Sequence, residues 1–503
     1  MATHRRTPAP SRARLRLATA TATAVAITGG LFAVSAGTAG AADSVHHPQA
    51  DFNGDGYGDV AFSAGDATVS GKKQAGDIVA LYGSASGVTS AKRSTISQNT
   101  SGVPGTSETG DGFGWASAYG DFNHDGFDDL AVSAAHEKVD ADTDGGTVAI
   151  LWGSASGLSG GTTITDPAVS SHDEWGRSLA AGDFDGDGKD DLAIGSSAAT
   201  IYVYKGGTAK SASLGGRYTV RPAIVSGGDA GPLDLFAGDV NGDKRSDLVV
   251  NGYEAGTDMG YNTNYYVPGS GSGLATSGAQ QLKRGMITGI GDVNGDGFGD
   301  IVTGQEWDPD MSTGSGTVTV PGSVTGGQIH VTYGSQAGPA GSTDISQDSG
   351  NVPGGSERGD WFGSELSVGD INGDGYADVA ASAPGENLNG VVNTGSVTVL
   401  YGSADGLNTT SGTQFFAQST AGVPGDDEKN DYFGGEVKLT DANKDGKADL
   451  VVGALGENGG NGALTYLPSN GTKITTTGSR GISTSAAGVS TDGSPLFGAN
   501  AAN

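Results

Sequence analysis

The sequence predicts an all-β fold: a seven-bladed β-propeller of four-stranded antiparallel blades, closed by the C-terminal strand. Three observations predict it: an acidic nonapeptide that recurs seven times, short apolar runs around each copy, and 91 glycines in 503 residues. Glycine at about 18% without a Gly-X-Y period excludes collagen, yet it far exceeds the usual ~7% and demands a chain made mostly of turns. Many short strands need that many turns.

Residues 1–41 differ from the rest. Arg5, Arg6, Arg12, Arg14 and Arg16 precede an apolar stretch from Leu17 to Ala36, and Ala39-Gly40-Ala41 supplies small residues at a cleavage-type spacing, the pattern of a secretory signal peptide. Thr7-Pro8-Ala9 after Arg5-Arg6 favours general secretion over the twin-arginine route. No later window approaches ~20 apolar residues, so no stable membrane anchor is expected after cleavage. Removing the five arginines takes the net charge from −30 to −35, which argues against nucleic acid as a partner. The absence of Cys excludes a disulfide scaffold and a zinc–thiolate domain. Residues 42–503 are then the propeller, and something other than disulfides must hold it together.

One unit can be read in full from Phe113. Phe113-Gly114 opens a first strand to Gly120, Asp121–Asp129 is the acidic loop, and Leu130-Ala131-Val132 begins a second strand. A polar loop from His136 to Gly146 leads to a third strand, Thr147–Trp152, stopped by Gly153-Ser154, with a fourth expected over 162–169. Four short antiparallel strands make a propeller blade. The same aromatic-Gly-Ser stop recurs at Tyr82, Tyr333 and Tyr401. Connections containing Val103-Pro104-Gly105, Val352-Pro353-Gly354 and Val423-Pro424-Gly425 lead to Phe113-Gly114, Phe362-Gly363 and Phe433-Gly434. A last Phe-Gly, Phe497-Gly498, has no acidic loop after it, while the loop at Asp51 has no strand before it. The C-terminus is therefore expected to supply the first strand of the first blade, which removes two sheet edges.

The repeated loop reads Asp-x-Asn/Asp-x-Asp-Gly-x-x-Asp and starts at intervals of 70, 62, 56, 53, 78 and 71 residues. Carboxylates at positions 1, 5 and 9, an oxygen side chain at 3 and the carbonyl of 7 can converge on one hard cation, and Ca²⁺ takes roughly 6 to 8 such oxygens. The expected ligand sets are Asp51, Asn53, Asp55, Tyr57 and Asp59; Asp121, Asn123, Asp125, Phe127 and Asp129; Asp183, Asp185, Asp187, Lys189 and Asp191; and Asp239, Asn241, Asp243, Arg245 and Asp247. They continue with Asp292, Asn294, Asp296, Phe298 and Asp300; Asp370, Asn372, Asp374, Tyr376 and Asp378; and Asp441, Asn443, Asp445, Lys447 and Asp449. Position 6 is Gly in six loops, where positive φ is cheap, and Lys244 in the fourth, which is expected to be the weakest site. A single such loop could be a solvated Asx-turn; seven in register point to metal.

Phe-Gly, the acidic loop and a following Ser382-Ala383-Pro384 or Gly453-Ala454 together resemble the FG-GAP repeats of the integrin α-subunit head. The resemblance covers roughly residues 43–503. It implies a seven-bladed propeller with Ca²⁺ in the loops between the first two strands of each blade and ligands on the opposite face. Similar repeats occur in extracellular lectins and beside the catalytic domain of a glycosylphosphatidylinositol-specific phospholipase D. Departures are Trp175-Gly176 in place of Phe-Gly, and only Leu235-Phe236 and Met286-Ile287 near the fourth and fifth loops.

These features suggest a secreted recognition or adhesion module for a glycan or protein ligand. Candidate ligand-binding residues in blades four and five are Tyr253, Tyr261, Tyr265, Glu306 and Trp307, as exposed rings beside a carboxylate that could stack on sugar faces; ordinary packing is the competing reading. The alternative is a hydrolase of esters or phosphodiesters working from propeller loops. Its signals are weak: Gly157-Leu158-Ser159-Gly160-Gly161 lacks the following helix of a nucleophile elbow, and His136, His172 and His330 form no metal-hydrolase motif. Arg358-Gly359-Asp360 spells an integrin-binding tripeptide, but its Asp aligns with Asp111 and Asp431 in the other connections, which makes accidental spelling the better explanation.

Overall fold

The computed structural model describes residues 49–228, 230–255, 261–313 and 316–502, so the expected signal peptide lies outside the described residues. Seven antiparallel sheets follow one another along the chain. Blade 2 is Ser117–Gly120, Asp129–Ala134, Thr147–Trp152 and Ser159–Ile164. Blade 3 opens at Leu179–Gly182, blade 4 at Asp234–Gly238, blade 5 at Thr288–Gly291, blade 6 at Leu366–Gly369 and blade 7 at Phe433–Thr440, each with three further strands in sequence order. Blade 1 has three strands of its own, Val60–Ala64, Asp77–Leu81 and Arg93–Ile96. Its fourth comes from the C-terminus: Phe62 bridges Ala501, Ser63 N–H donates to the Asn500 carbonyl at 2.7 Å, and Ala502 N–H to the Ala61 carbonyl at 2.9 Å. The ring closes as the sequence predicts.

Apolar strand residues are shared between blades. Among the described residues seven hydrophobic clusters fill the seven blade-to-blade interfaces. Position 2 of every acidic loop plugs one of them: Phe52, Phe122, Phe184, Val240, Val293, Ile371 and Ala442 are all fully buried. Each loop is thus anchored in the core beside its acids, a pattern the sequence reading passed over.

Two boundaries differ from expectation. The fourth strand of blade 2 is Ser159–Ile164, not 162–169, so Ser159-Gly160-Gly161 of the Gly-x-Ser-x-Gly match is edge strand. The first strand of that blade begins at Ser117, leaving Phe113-Gly114 outside it. The aromatic residue instead hooks the preceding blade: Phe113 N–H donates to the Ala75 carbonyl at 2.9 Å, Trp175 to Gly145 at 3.0 Å, Phe362 to Gly326 at 2.7 Å, Phe433 to Thr394 at 2.9 Å and Phe497 to Asn461 at 3.1 Å. Blades 4 and 5 lack the pair but still have four strands, and blade 5 carries an added hairpin, Asp310–Thr313 with Gly316–Thr319.

Candidate metal centres

Six acidic loops join the first strand of their blade to the second, and the loop at 51–59 leads into Val60–Ala64, the strand that pairs with the C-terminal segment, so all seven occupy equivalent positions in the ring. The position-1 Asp accepts the N–H of residue 6 at 2.8–2.9 Å in every copy. The position-5 Asp likewise accepts the N–H of residue 7 at 3.0–3.2 Å. Positions 4 and 6 both take left-handed φ, between +55° and +88°. Lys244 adopts +66° and its N–H reaches Asp239 Oδ2 at 2.8 Å like the glycines of the other loops, with its side chain exposed. The backbone of the fourth loop is therefore built like the rest, at the ~1 kcal/mol cost of a left-handed L-residue. His124 and Lys444 show that position 4 bears the same demand.

The position-9 Asp has a second task. One of its oxygens accepts the N–H of a residue just beyond the third strand: Asp59 from Gly83, Asp129 from Gly153, Asp191 from Gly206, Asp247 from Gly269, Asp300 from Gly334, Asp378 from Gly402 and Asp449 from Ser469, all at 2.8–2.9 Å. This explains the aromatic-Gly-Ser stop. A side chain on that glycine would collide: a Cβ on Gly153 would sit 2.2 Å from the Asp128 carbonyl. Burial raises these carboxyls to about 8 in Asp59, Asp129 and Asp191, about 7 in Asp247 and Asp378, and about 6 in Asp300 and Asp449; their backbone hydrogen bonds oppose the shift and nearby loop carboxylates add to it. Each is a buried acid that a proton or a cation must neutralise.

The donor sets suit a hard divalent cation. Among the described residues, no position-7 carbonyl accepts a backbone N–H outside the strand ladders, which leaves that oxygen available. The Asn123 amide donates to Asp129 Oδ2 at 2.8 Å and Asn372 to Asp374 Oδ2 at 2.9 Å, placing amide hydrogens where a cation would serve the same carboxylates. In the third loop Asp183, Asp185 and Asp187 bring carboxylate oxygens within 4.8 Å of one another, the single such trio among the described residues. Lys205 meets Asp185 and Lys189 meets Asp187 there, both at 2.6 Å, so the most acidic loop is partly neutralised by its own chain.

The candidate ligand-binding residues do not form an exposed aromatic surface. Trp307 is 8% exposed within the blade 5–6 core, and Tyr265 is 9% exposed in the blade 3–4 core. The apolar rings fill inter-blade space, which corrects the expectation that they stand free. Tyr261 is half-buried, its hydroxyl donating to the Thr319 carbonyl at 3.0 Å and its ring 5.1 Å from the Arg284 guanidinium. Glu306 accepts from Ser364 Oγ at 2.8 Å, and Tyr253 is half-buried.

The FG-GAP repeat family model matches residues 113–151, 175–210, 362–400 and 433–467. Each match starts at a hook residue and ends within the third strand of blade 2, at the end of the third strand of blades 6 and 7, or a few residues beyond it in blade 3. Bovine phosphatidylinositol-glycan-specific phospholipase D is 33% identical over 148 residues, 29% of this chain and 18% of that protein. Integrin alpha-PS2 of Drosophila melanogaster is 28% identical over 244 residues, 44% of this chain and 16% of that one. The chain thus spans under a fifth of the length of these two relatives. The solved Dos1 propeller overlays with a TM-score of 0.40 at 8% identity, covering 79% of each chain. Fold and repeat together define a seven-bladed β-propeller in which four blades match the FG-GAP repeat. Over part of its length the chain is similar to an integrin alpha chain, and its fold is consistent with an integrin-like propeller. Among the described residues no helix is long and apolar enough to cross a membrane.

Proposed function

We propose that this protein is a secreted, calcium-binding propeller that acts as an extracellular recognition or adhesion module for a glycan or protein ligand. The observation that carries it is the sevenfold recurrence of one loop geometry, with a buried, proton-hungry Asp at position 9 and an unclaimed carbonyl at position 7. Oxygen-only donors in an irregular loop favour Ca²⁺ over a softer metal. Calcium here is a structural clamp, because the loops join strands of the same blade and their position-2 residues are locked in the core. The ligand would be taken by the opposite face, where the loops after each second strand vary in length and sequence.

Chelation is expected to lower the melting temperature by several degrees and millimolar calcium to restore it. An unchanged melting curve under thorough chelation would remove the clamp. A glycan array probed with and without calcium tests the recognition role: binding lost on chelation supports it, and no bound glycan turns the search to protein ligands.

A further inference from the structure

Residue 7 of the acidic loops reaches back to the loop before it in the ring. Its side chain covers residue 4 of that loop: a Cβ on Gly54 would stand 2.7 Å from the Phe127 ring and one on Gly295 2.5 Å from the Tyr376 ring, with like contacts at three further seams. Between the seventh loop and the first, residue 4 is Lys444, whose ammonium donates to the Asp55 carbonyl at 2.8 Å and lies 5.5 Å from the Tyr57 ring centre. Behind the side chain runs a backbone link. In six of the seven seams among the described residues the N–H of residue 8 donates to the carbonyl of residue 1 in the loop before, at 2.8–3.2 Å, from Asp128 to Asp51 round to Gly58 to Asp441, which closes the circle. At the remaining seam, between the second and third loops, the Asp190 carboxylate accepts the Asp121 N–H at 3.0 Å.

The carbonyl of residue 7 and the N–H of residue 8 belong to one peptide unit, which is planar and trans, so the two groups point in opposite directions. With its N–H on the loop before, this unit turns the residue-7 oxygen away from that neighbour, and among the described residues no backbone N–H outside the strand ladders claims it. One rigid plate therefore joins a candidate ligand of each loop to the residue whose carboxylate is a candidate ligand of the loop before. Polarising one edge of a peptide strengthens the hydrogen bond at the other. A residue-7 oxygen drawn towards a cation thus tightens the hold of residue 8 on residue 1, and a residue 1 already held by its own carboxylate offers a fixed acceptor in return. Ordering either loop lowers the cost of ordering the other.

We propose that the loops bind calcium as one positively coupled ring, with the peptide between residues 7 and 8 as the positioning element that passes order from each site to the next. The proposal rests on the calcium reading above and adds to it the relation between sites. Because Gly58 ties the first loop to the seventh, the ring has no free end and its turns act as a single belt. Coupling is reciprocal, so the loss of one site weakens the sites on both sides of it.

Native mass spectrometry of the intact protein at sub-saturating calcium tests it by counting ions per molecule. Coupled sites are expected to give molecules that are nearly empty or nearly full, a spread wider than independent sites of any affinities allow. Asp374→Asn removes a candidate ligand of the sixth loop but keeps the oxygen that accepts the Tyr376 N–H at 3.0 Å, so the turn is preserved. It is expected to lose one equivalent at saturation and to raise the half-saturating calcium concentration of the remaining sites about fivefold, the lower end of usual site-to-site coupling. Asp405→Asn, at an exposed residue outside the acidic loops, makes the same charge change and is expected to leave that concentration as in wild type. A spread no wider than independent sites give, an unshifted D374N, or an equal shift in D405N overturns the proposal, and repulsion between neighbouring ions would show as a narrower spread. Independent binding leaves the clamp standing, whereas a folded protein that holds no calcium removes the clamp and the ring with it.

Discussion

Asp360 belongs to the tripeptide Arg358-Gly359-Asp360, yet it is fully buried and accepts the Glu357 N–H at 2.6 Å. Asp111 and Asp431 accept from Glu108 and Glu428 in the same three-residue turn, so the tripeptide is a connection element and not an exposed ligand. Burial, with Glu386, Glu357 and Asp308 adding, lifts the Asp360 carboxyl to about 7 against 3.8 for the free side chain. The folded state then holds a proton that the unfolded chain releases. The resulting stability is fully present below the unfolded value and is lost as pH rises through 7. Asp360→Asn should remove this slope: relative to wild type the variant gains on the order of 2 kcal/mol between pH 4 and pH 8 in urea unfolding. Parallel pH profiles would contradict it. At position 9, Asp191 separates two roles, because one oxygen holds Gly206 N–H at 2.8 Å and the other has no partner. Asp191→Asn should keep metal-free stability and lose third-loop calcium, whereas Asp191→Ala should also cost about 2–3 kcal/mol without metal. Equal metal-free stabilities of the two variants would exclude the staple. The acids of these loops were legible because they recur at fixed spacing. Their second partner was not, since the distance from Asp to staple varies from 15 residues (Asp191 to Gly206) to 34 (Asp300 to Gly334).

Between blades, the hook explains why an aromatic residue must be followed by Gly and met by another Gly from the blade before. A Cβ on Gly395 would stand 2.2 Å from the Phe433 carbonyl oxygen, and Gly395 itself has φ +84°. Gly76 and Gly462 meet Phe113 and Phe497 with the same 2.2 Å approach. Gly395→Ala should therefore cost at least about 2 kcal/mol by urea unfolding, and a loss under 0.5 kcal/mol would mean the hook yields freely. Second and third strands were easy to read because both faces are covered and their sequences run apolar, as in Asp129–Ala134. Fourth strands were not. Ser159–Ile164 is mostly exposed or half-exposed, with a single buried residue, Ile164, and its composition is that of a loop. Blades 4 and 5 lost their hook signature yet kept four strands, because Leu235, Phe236, Ile287 and Ile290 still fill the interfaces on either side.

For the molecule as a whole, the sevenfold count and the closure were both legible, since seven loops and one orphan Phe-Gly admit few other arrangements. Which aromatic residues stand free could not be read. Trp307 and Tyr265 look alike in sequence whether they greet a ligand or fill a seam, and only the packing of neighbouring blades decides. Removal of residues 498–503 should uncover the strand Val60–Ala64, lower the melting temperature by at least about 5 °C and promote association through the bared edge, measurable by light scattering. A truncated chain that stays monomeric and equally stable would show that the seam is dispensable. Because the stretch that completes blade 1 is made only after the other six blades, a nascent chain emerging from the ribosome carries an unfinished sheet until residues 498–502 have followed. Termination just upstream of residue 498 would thus damage the first blade made rather than the most recent one.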